Sequence, residues 1–274
     1  MSLLFHDLSI TDADFQRLVQ FMQKNYGIDL SKKRQLITSR LSNSLKERGY
    51  QDFHSFLEHL FSTKDSGDVE LVLNKLTTNY TYFLREREHF TYFQDTVLPE
   101  LSRRHARDKV LSIWSAGCSS GEEPYTLSIY LKEYFGAQSS QWDTRVLATD
   151  ISQQAMAKAQ AGSYQMPADM PDAWLHRYFV RNKADGTYTV APQVKQNVIF
   201  RPFNLMDPIR FRLKFDVIFC RNVMIYFNQA TRDGLVRRFY DAMNPSGYLF
   251  ISHSESLGQN PLFRMVAPAV YQKK

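Results

Sequence analysis

The first part of the chain repeats apolar residues at helical spacing. In "TDADFQRLVQFMQKNYG", Phe15, Leu18, Val19 and Met22 fall on one stripe. A Thr or Asp opens that run as a cap, and Gly27 stops it. "SKKRQLITSRLSNSLKERG" repeats the design, with Leu36, Ile37, Leu41 and Leu45 in phase, Ser31 as the expected cap and Gly49 as the stop. "DFHSFLEHLF" and "DVELVLNKLTTN" predict two more helices. Residues 1 to about 75 therefore read as an all-helical N-terminal domain, and 76–88, "TTNYTYFLRERE", as a linker.

After about residue 88 the period changes. "KVLSIWSAG" predicts a buried strand, "EEPYTLSIYLKEYF" a helix, "TRVLATD" a strand and "SQQAMAKAQAG" a helix. The strands "NVIFRPFNL" and "FDVIFCRN", the helix "QATRDGLVRRFYDAMN", the turn "PSG" and the strand "YLFISHS" follow, and "FRMVAPAVYQ" predicts a final strand pair. Strands alternating with helices predict an α/β domain, doubly wound and Rossmann-like, on a parallel sheet over 89–274. About 162–196 breaks the alternation. Its prolines and the Asp-Gly turn of "NKADGTYTV" predict a small β-rich insertion.

Composition narrows the functional classes. The 274 residues are 43% hydrophobic, enough for a sizeable core. No apolar run approaches the roughly 20 residues that span a bilayer, and "MSLLFHDLSITDADF" has no basic leader, so neither a signal peptide nor membrane insertion is expected. Two cysteines, Cys118 and Cys220, make no disulfide framework and predict reduced thiols in a cytoplasmic protein. The net charge of +6 admits an acidic partner. Arg34, Arg40, Lys46 and Arg48 lie in one stretch whose only acid is Glu47.

The turn Ala116–Gly121 between the first strand and its helix is where an open parallel sheet holds its ligand. It matches neither G-x-G-x-x-G nor a P-loop. Glu122 and Glu123 stand at the expected helix start, favoured there by the dipole and repulsive to a phosphate. An ammonium or sulfonium ligand meets no such repulsion. Asp150 ends the second strand, where an acid accepts hydrogen bonds from ribose hydroxyls. Asn204 and Leu205 end another strand, and Arg221 and Asn222 the next. A cationic, phosphate-free adenosine ligand suggests S-adenosylmethionine.

"TTNYTYFLRE", "WSAGCSSGEEPYT", "ATDIS", "FNL" and "FCRNVMIYF", in this order over nearly the whole chain, resemble the CheR family of chemotaxis receptor methyltransferases. The resemblance implies methyl transfer from S-adenosylmethionine to glutamate side chains on the cytoplasmic helices of chemoreceptors, giving methyl esters and S-adenosylhomocysteine. It implies cofactor contacts at Asn79, Thr81, Arg85, Glu123, Asp150, Asn204, Leu205, Arg221 and Asn222, with Arg85 and Tyr226 near the transferred methyl and Glu122 left as a cap. It makes the basic stretch of Arg34, Arg40, Lys46 and Arg48 a receptor-docking helix, places the protein in the cytoplasm at membrane-bound receptor arrays, and admits a regulatory protein partner. The hairpin "VRNKADGTYTVAPQV" is shorter and less glycine-rich than in members that grip a receptor C-terminal peptide, so no tether is expected.

The chemistry needs neither metal nor general base, because a glutamate with a pKa of about 4.3 is already ionised at neutral pH. Two rival readings have sequence tests. A methyltransferase acting on base amino groups carries Asn/Asp-Pro-Pro-aromatic after its fourth strand, whereas this chain reads "RNVMIYF" there, so no nucleic acid partner is expected. The other rival is a non-catalytic module that binds S-adenosylmethionine or a nucleotide as a signal; the intact set of Asp150, Glu123 and Asn222 argues against a dead pocket.

Overall fold

The computed structural model describes residues 8–63, 66–77, 80–165 and 169–274. The chain divides into two compact units. One runs to Asn79 and adds Tyr226–Thr231; the other comprises Tyr80–Ile225 and Arg232–Lys274.

The first unit holds α1 (Asp12–Tyr26), α2 (Arg34–Glu47), α3 (Phe53–Ser62) and α4 (Ser66–Leu76). Thr11 caps α1 by accepting from the Asp14 N–H at 3.1 Å, and Gly27 ends it at φ 70°. Leu18, Met22, Ile37, Leu41, Leu45, Phe56 and Leu57 are buried together with the stripe periodicity that predicted them. Ser31 does not cap α2. Its N–H donates to Asp29 Oδ1 at 2.9 Å, and Lys33 closes a turn onto the Leu30 carbonyl, so the helix starts at Arg34 with no side-chain cap. The added segment is bound to this unit by an antiparallel bridge between Ile28 and Phe227, and the Asp29 N–H donates to the Tyr226 carbonyl at 2.8 Å.

The second unit opens with α5 (Arg87–Tyr92), a π-helical turn (Phe93–Val97) and α6 (Leu98–Arg104), a helical run that the sequence reading did not assign. It continues through β1 (Ile113–Ala116), α7 (Glu122–Phe135), β2 (Val146–Asp150) and α8 (Gln153–Ala161). The insertion follows: β3 (Ser163–Tyr164), α9 (Asp172–Tyr178), β4 (Phe179–Arg181), β5 (Tyr188–Val190) and α10 (Pro192–Lys195). Then come β6 (Val198–Pro202), β7 (Phe215–Phe219), α11 (Gln229–Ala242), β8 (Met243–Phe250), β9 (Phe263–Ala267) and β10 (Val270–Lys273).

The seven-stranded sheet has the order β6-β2-β1-β7-β8-β10-β9. Its first five strands are parallel, and β10 runs antiparallel to both β8 and β9. The sheet is therefore mixed and not wholly parallel, because antiparallel neighbours such as β9 and β10 can be joined by a tight turn, here at Pro268–Ala269, without a helical crossover. Trp114 packs on Phe239 of α11 at 5.5 Å, while Phe219 and Phe250 of the strands stack at 4.2 Å and meet Phe93. Helices thus cover both faces. "PSG" is not a free turn: Ser246, at φ 55°, lies inside β8, where its pairing with β7 shifts register. The insertion forms its own sheet, β3-β5-β4.

Candidate functional site

Four adjacent parallel strands, β6, β2, β1 and β7, bring their carboxyl ends to one edge. After β1 the chain turns sharply. Gly117 and Cys118 both donate their N–H to the Thr149 carbonyl, at 2.8 and 2.9 Å, and Gly121, at φ 96°, leads into α7. A Cβ on Gly117, at φ 83°, would stand 2.4 Å from Val223 Cγ2, immediately after Asn222. Gly117→Ala is therefore expected to cost about 1–2 kcal/mol for the left-handed backbone and about 1–3 kcal/mol for overpacking. Thermal unfolding measures the summed loss.

Asp150 organises the loop. Its Oδ2 accepts from the Ser119 N–H at 2.7 Å and its Oδ1 from the Ser152 N–H at 2.9 Å. Tyr164 of the insertion sheet donates to the Ser120 carbonyl at 2.6 Å, fixing the loop from its other side. Glu122 is buried and accepts from Ser120 Oγ; burial raises its carboxyl above the ordinary value. Cys118 and Cys220 are free and buried, and burial pushes both thiols up.

Glu123 accepts from Ser115 Oγ at 2.7 Å and from Arg221 Nη1 at 3.0 Å. Burial pushes its carboxyl up; Arg221 and Ser115 pull it back only in part, so it stays above the ordinary range. Arg221 is nearly inaccessible. Its second nitrogen lies 3.2 Å from Glu86 Oε2 and donates to the Arg85 carbonyl, and its guanidinium sits over the Phe90 ring. Two carboxylates thus share one guanidinium, leaving a surplus negative charge when both are ionised. Arg85 Nη1 donates to the Tyr80 carbonyl at 2.7 Å, with its guanidinium 5.9 Å from the Tyr82 ring.

Leu84 (φ 61°), Glu86 (φ 54°), Ser119 (φ 48°) and Asn222 (φ 59°) are left-handed without being glycine, and all flank residues singled out above. Such conformations cost on the order of 1–3 kcal/mol each and persist where neighbours over-determine them. At Asn222 the neighbour is the buried Glu255. It accepts from the N–H groups of Asn222, Ile225 and Ser252 at 3.3, 3.1 and 2.8 Å.

The structure thus brings Glu123, Arg221 and the Arg85 backbone into direct contact and puts Asn222 beside them. It holds Asp150 against the neighbouring loop. Asn204 and Leu205 follow β6 at the same sheet edge, where Asn204 Oδ1 accepts from the Met206 N–H and the Leu205 carbonyl from Arg238. Thr81 is half-buried. Asn79 lies outside the described residues. Tyr226 ends a short 3-10 turn and belongs to the helical unit, as do Arg34, Arg40, Lys46 and Arg48. Arg34 pairs with Asp12, Arg40 donates to the Lys75 carbonyl at 3.1 Å, and Arg48 pairs with the buried Asp68 at 2.5 Å. Burial alone would raise Asp68, but His59, Tyr50 and Arg48 outweigh it and hold its carboxyl below the ordinary range. Glu86 and Glu255 were missed by the sequence reading. Only the alternating charges of "LRERE" hinted at Glu86, and that pattern reads equally as a solvated helix face.

The residues fit a cationic adenosyl ligand. An acid stands at the β2 tip, the start of α7 carries acids and no lysine, and the charge surplus lies beside them. Fold and site define an S-adenosylmethionine-dependent methyltransferase. Residues 79–271 match the CheR methyltransferase SAM-binding domain, and residues 13–77 match the CheR methyltransferase all-alpha domain. The chain belongs to the CheR methyltransferase family. It is 39% identical to the chemotaxis protein methyltransferase of Borreliella burgdorferi, over 97% of this chain and 96% of that one. It is 35% identical to chemotaxis protein methyltransferase 1 of Pseudomonas aeruginosa, over 93% and 94%, and 36% identical to the Escherichia coli chemotaxis protein methyltransferase, over 91% and 86%. No helix among the described residues is long and apolar enough to cross a membrane.

Proposed function

We propose that this methyltransferase esterifies glutamate side chains on the cytoplasmic helical region of chemoreceptors, producing S-adenosylhomocysteine, and that it works in the cytoplasm at receptor arrays. The observation that carries the reading is the pair of carboxylates, Glu123 and Glu86, around the single Arg221 at the sheet edge. Their surplus charge suits a ligand that brings positive charge. Asp150, at the tip of β2, is assigned to accept from the ribose hydroxyls. Asn79, Thr81, Arg85, Asn204, Leu205 and Asn222 complete the cofactor set, and Arg221 serves it by holding Glu123 in place.

The bound cofactor supplies an electrophilic methyl on a sulfonium. The substrate carboxylate oxygen forms the new C–O bond as the C–S bond breaks, and its electron pair goes to sulfur. No proton moves, so the protein needs no general base. Opposite charges cancel along the path, so strong donors on the carboxylate would hold back the reactant more than the transition state. The contribution of this chain is alignment and exclusion of water; alignment is worth roughly 7–11 kcal/mol in well-oriented systems.

Tyr226 is assigned to orient the substrate carboxylate. Tyr226→Phe is expected to lower turnover by up to roughly 100-fold, the scale of a small misalignment, with cofactor affinity unchanged. Unaltered turnover would remove the assignment. The basic face of α2 is assigned to receptor docking. Because Arg34 and Arg48 also pair with acids inside the helical unit, the informative change is Arg40→Glu with Lys46→Glu. It should slow receptor methylation and flatten its salt dependence, while S-adenosylhomocysteine binds as before. The short β4–β5 hairpin supports docking without a receptor peptide tether.

The direct test incubates the protein with methyl-labelled S-adenosylmethionine and receptor-containing membranes. Base-labile label on the receptor is expected. Label in nucleic acid, or none on receptors whose glutamates are intact, rejects the proposal.

A further inference from the structure

Behind Arg221 lies a side-chain cluster of which the methyl-transfer crevice uses only Glu86. His89 is 1% exposed. Neither of its ring nitrogens has a hydrogen-bond partner of good geometry, the Pro268 carbonyl being the one backbone group acting on it. Its Nδ1 lies 3.3 Å from Glu86 Oε2, an oxygen that is itself buried without a hydrogen bond. His253 stacks on the His89 ring, centroid to centroid at 4.4 Å, and is exposed on its outer side. One ligand atom from each of Glu86, His89 and His253 falls within 4.8 Å of the others.

A buried imidazole without a hydrogen bond is costly unless something else satisfies it. The buried ring stacks on His253 with the Glu86 carboxylate at its edge, and a neutral imidazole offers one nitrogen lone pair there. Neutral imidazole is the commonest protein ligand for metals. Two imidazoles and one carboxylate make a donor set that zinc accepts, with the open position left to solvent. Hard cations are disfavoured, because calcium and magnesium take oxygen ligands. Glu86 need not abandon Arg221, since its carboxylate has lone pairs for both. His89 is fixed by its packing against Phe250, and His253, exposed, is the ligand that turns to close the site.

We propose that Glu86, His89 and His253 form a binding site for a divalent transition-metal cation of the zinc class, which shares Glu86 with the methyl-transfer crevice and is not required for the reaction. A dication here adds positive charge beside Arg221. Resting on the assignment of that crevice to a cationic cofactor, it should oppose cofactor binding, and by linkage the cofactor should oppose the metal.

The test is titration of the whole protein with Co2+, followed by its visible d–d absorption, and with Zn2+ by calorimetry. The expected result is saturable binding of one metal per chain with the intense spectrum of a low-coordinate nitrogen/oxygen site. His253→Ala changes an exposed side chain and leaves the core intact. It should weaken binding by more than the roughly 10–100-fold that loss of a supporting outer-shell group costs. His89→Gln should do the same, with circular dichroism checking that it folds. No saturable binding, or equal affinity in His253→Ala, overturns the site. Binding of S-adenosylmethionine to wild-type protein should weaken by roughly 5–150-fold in saturating Zn2+, and not in His253→Ala. If the metal spectrum appears while cofactor affinity is unchanged, the metal site stands and its link to the crevice is rejected.

Discussion

Replacing Arg221 by methionine is expected to destabilise the methyltransferase unit by about 3–5 kcal/mol, the range seen when one partner of a buried ion pair is removed. Methionine fills much of the same space, so the loss is mainly electrostatic. Glu123 and Glu86 would be left facing each other without a counter-charge, and the Arg85 carbonyl would lose its donor. For a unit of this size the midpoint of thermal unfolding should fall by roughly 6–20 °C. The pH dependence gives an independent check. In the folded protein the Glu123 carboxyl is raised, by burial above all, with Arg221 pulling it back. An acid with a raised folded pKa binds its proton more tightly folded than unfolded, so its contribution to stability falls as pH rises through that window. Without Arg221 the carboxyl rises further. The deficit of the variant should therefore be largest at neutral and alkaline pH and shrink as the pH falls toward the carboxylate range. Adding Glu123→Gln should recover part of the loss at neutral pH. A deficit that is independent of pH would mean that packing, and not charge, is what Arg221 supplies.

The parts of this molecule that were legible in the sequence are those in which local pattern and tertiary role coincide. Phe15, Leu18 and Met22 announce a helix by spacing, and the same spacing buries them. The places of Asp150 and Asn222 at strand ends were legible because neighbouring parallel strands bring their carboxyl ends to one sheet edge. What escaped depends on partners far away in the chain. Glu86 sits in a run of alternating charges that suits solvent, and only Arg221, delivered by β7, turns it inward. Glu255 lies in a serine-rich stretch with no period, yet it fixes the left-handed turn at Asn222. The run Arg87–Arg104 was unassigned because its apolar positions are split by a π-helical turn, which moves the later ones off the stripe expected of a regular helix. Tyr226 follows β7 by only a few residues in sequence. The backbone bonds of its segment to Asp29 and Ile28 instead group it with the helices. Nothing in "NVMIYF" encodes that bridge.

Replacing Asp150 by alanine should abolish high-affinity binding of S-adenosylhomocysteine while leaving the sheet intact. Two ribose hydroxyls donating to an ionised carboxylate are worth roughly 1.5–3 kcal/mol each. Losing both corresponds to a rise in Kd of about 100-fold to 10,000-fold. The same carboxylate also holds the Ser119 and Ser152 N–H groups, at 2.7 and 2.9 Å, so its loss releases the loop that leads into α7. That second effect predicts a graded series. Asp150→Asn keeps one acceptor oxygen and the volume of the side chain, and should fall between wild type and alanine. Calorimetric titration with S-adenosylhomocysteine distinguishes the effects better than a rate, because the product has no transferable methyl and reports binding alone. Asp150 is half-buried at the end of β2, so the alanine variant should still fold, with a midpoint lowered by the loss of its two bonds to the loop. If alanine and wild type bind the ligand equally, the carboxylate is a loop brace and the ribose is held elsewhere. If asparagine binds as weakly as alanine, the negative charge itself, and not the number of acceptors, is what the ligand reads at this strand tip.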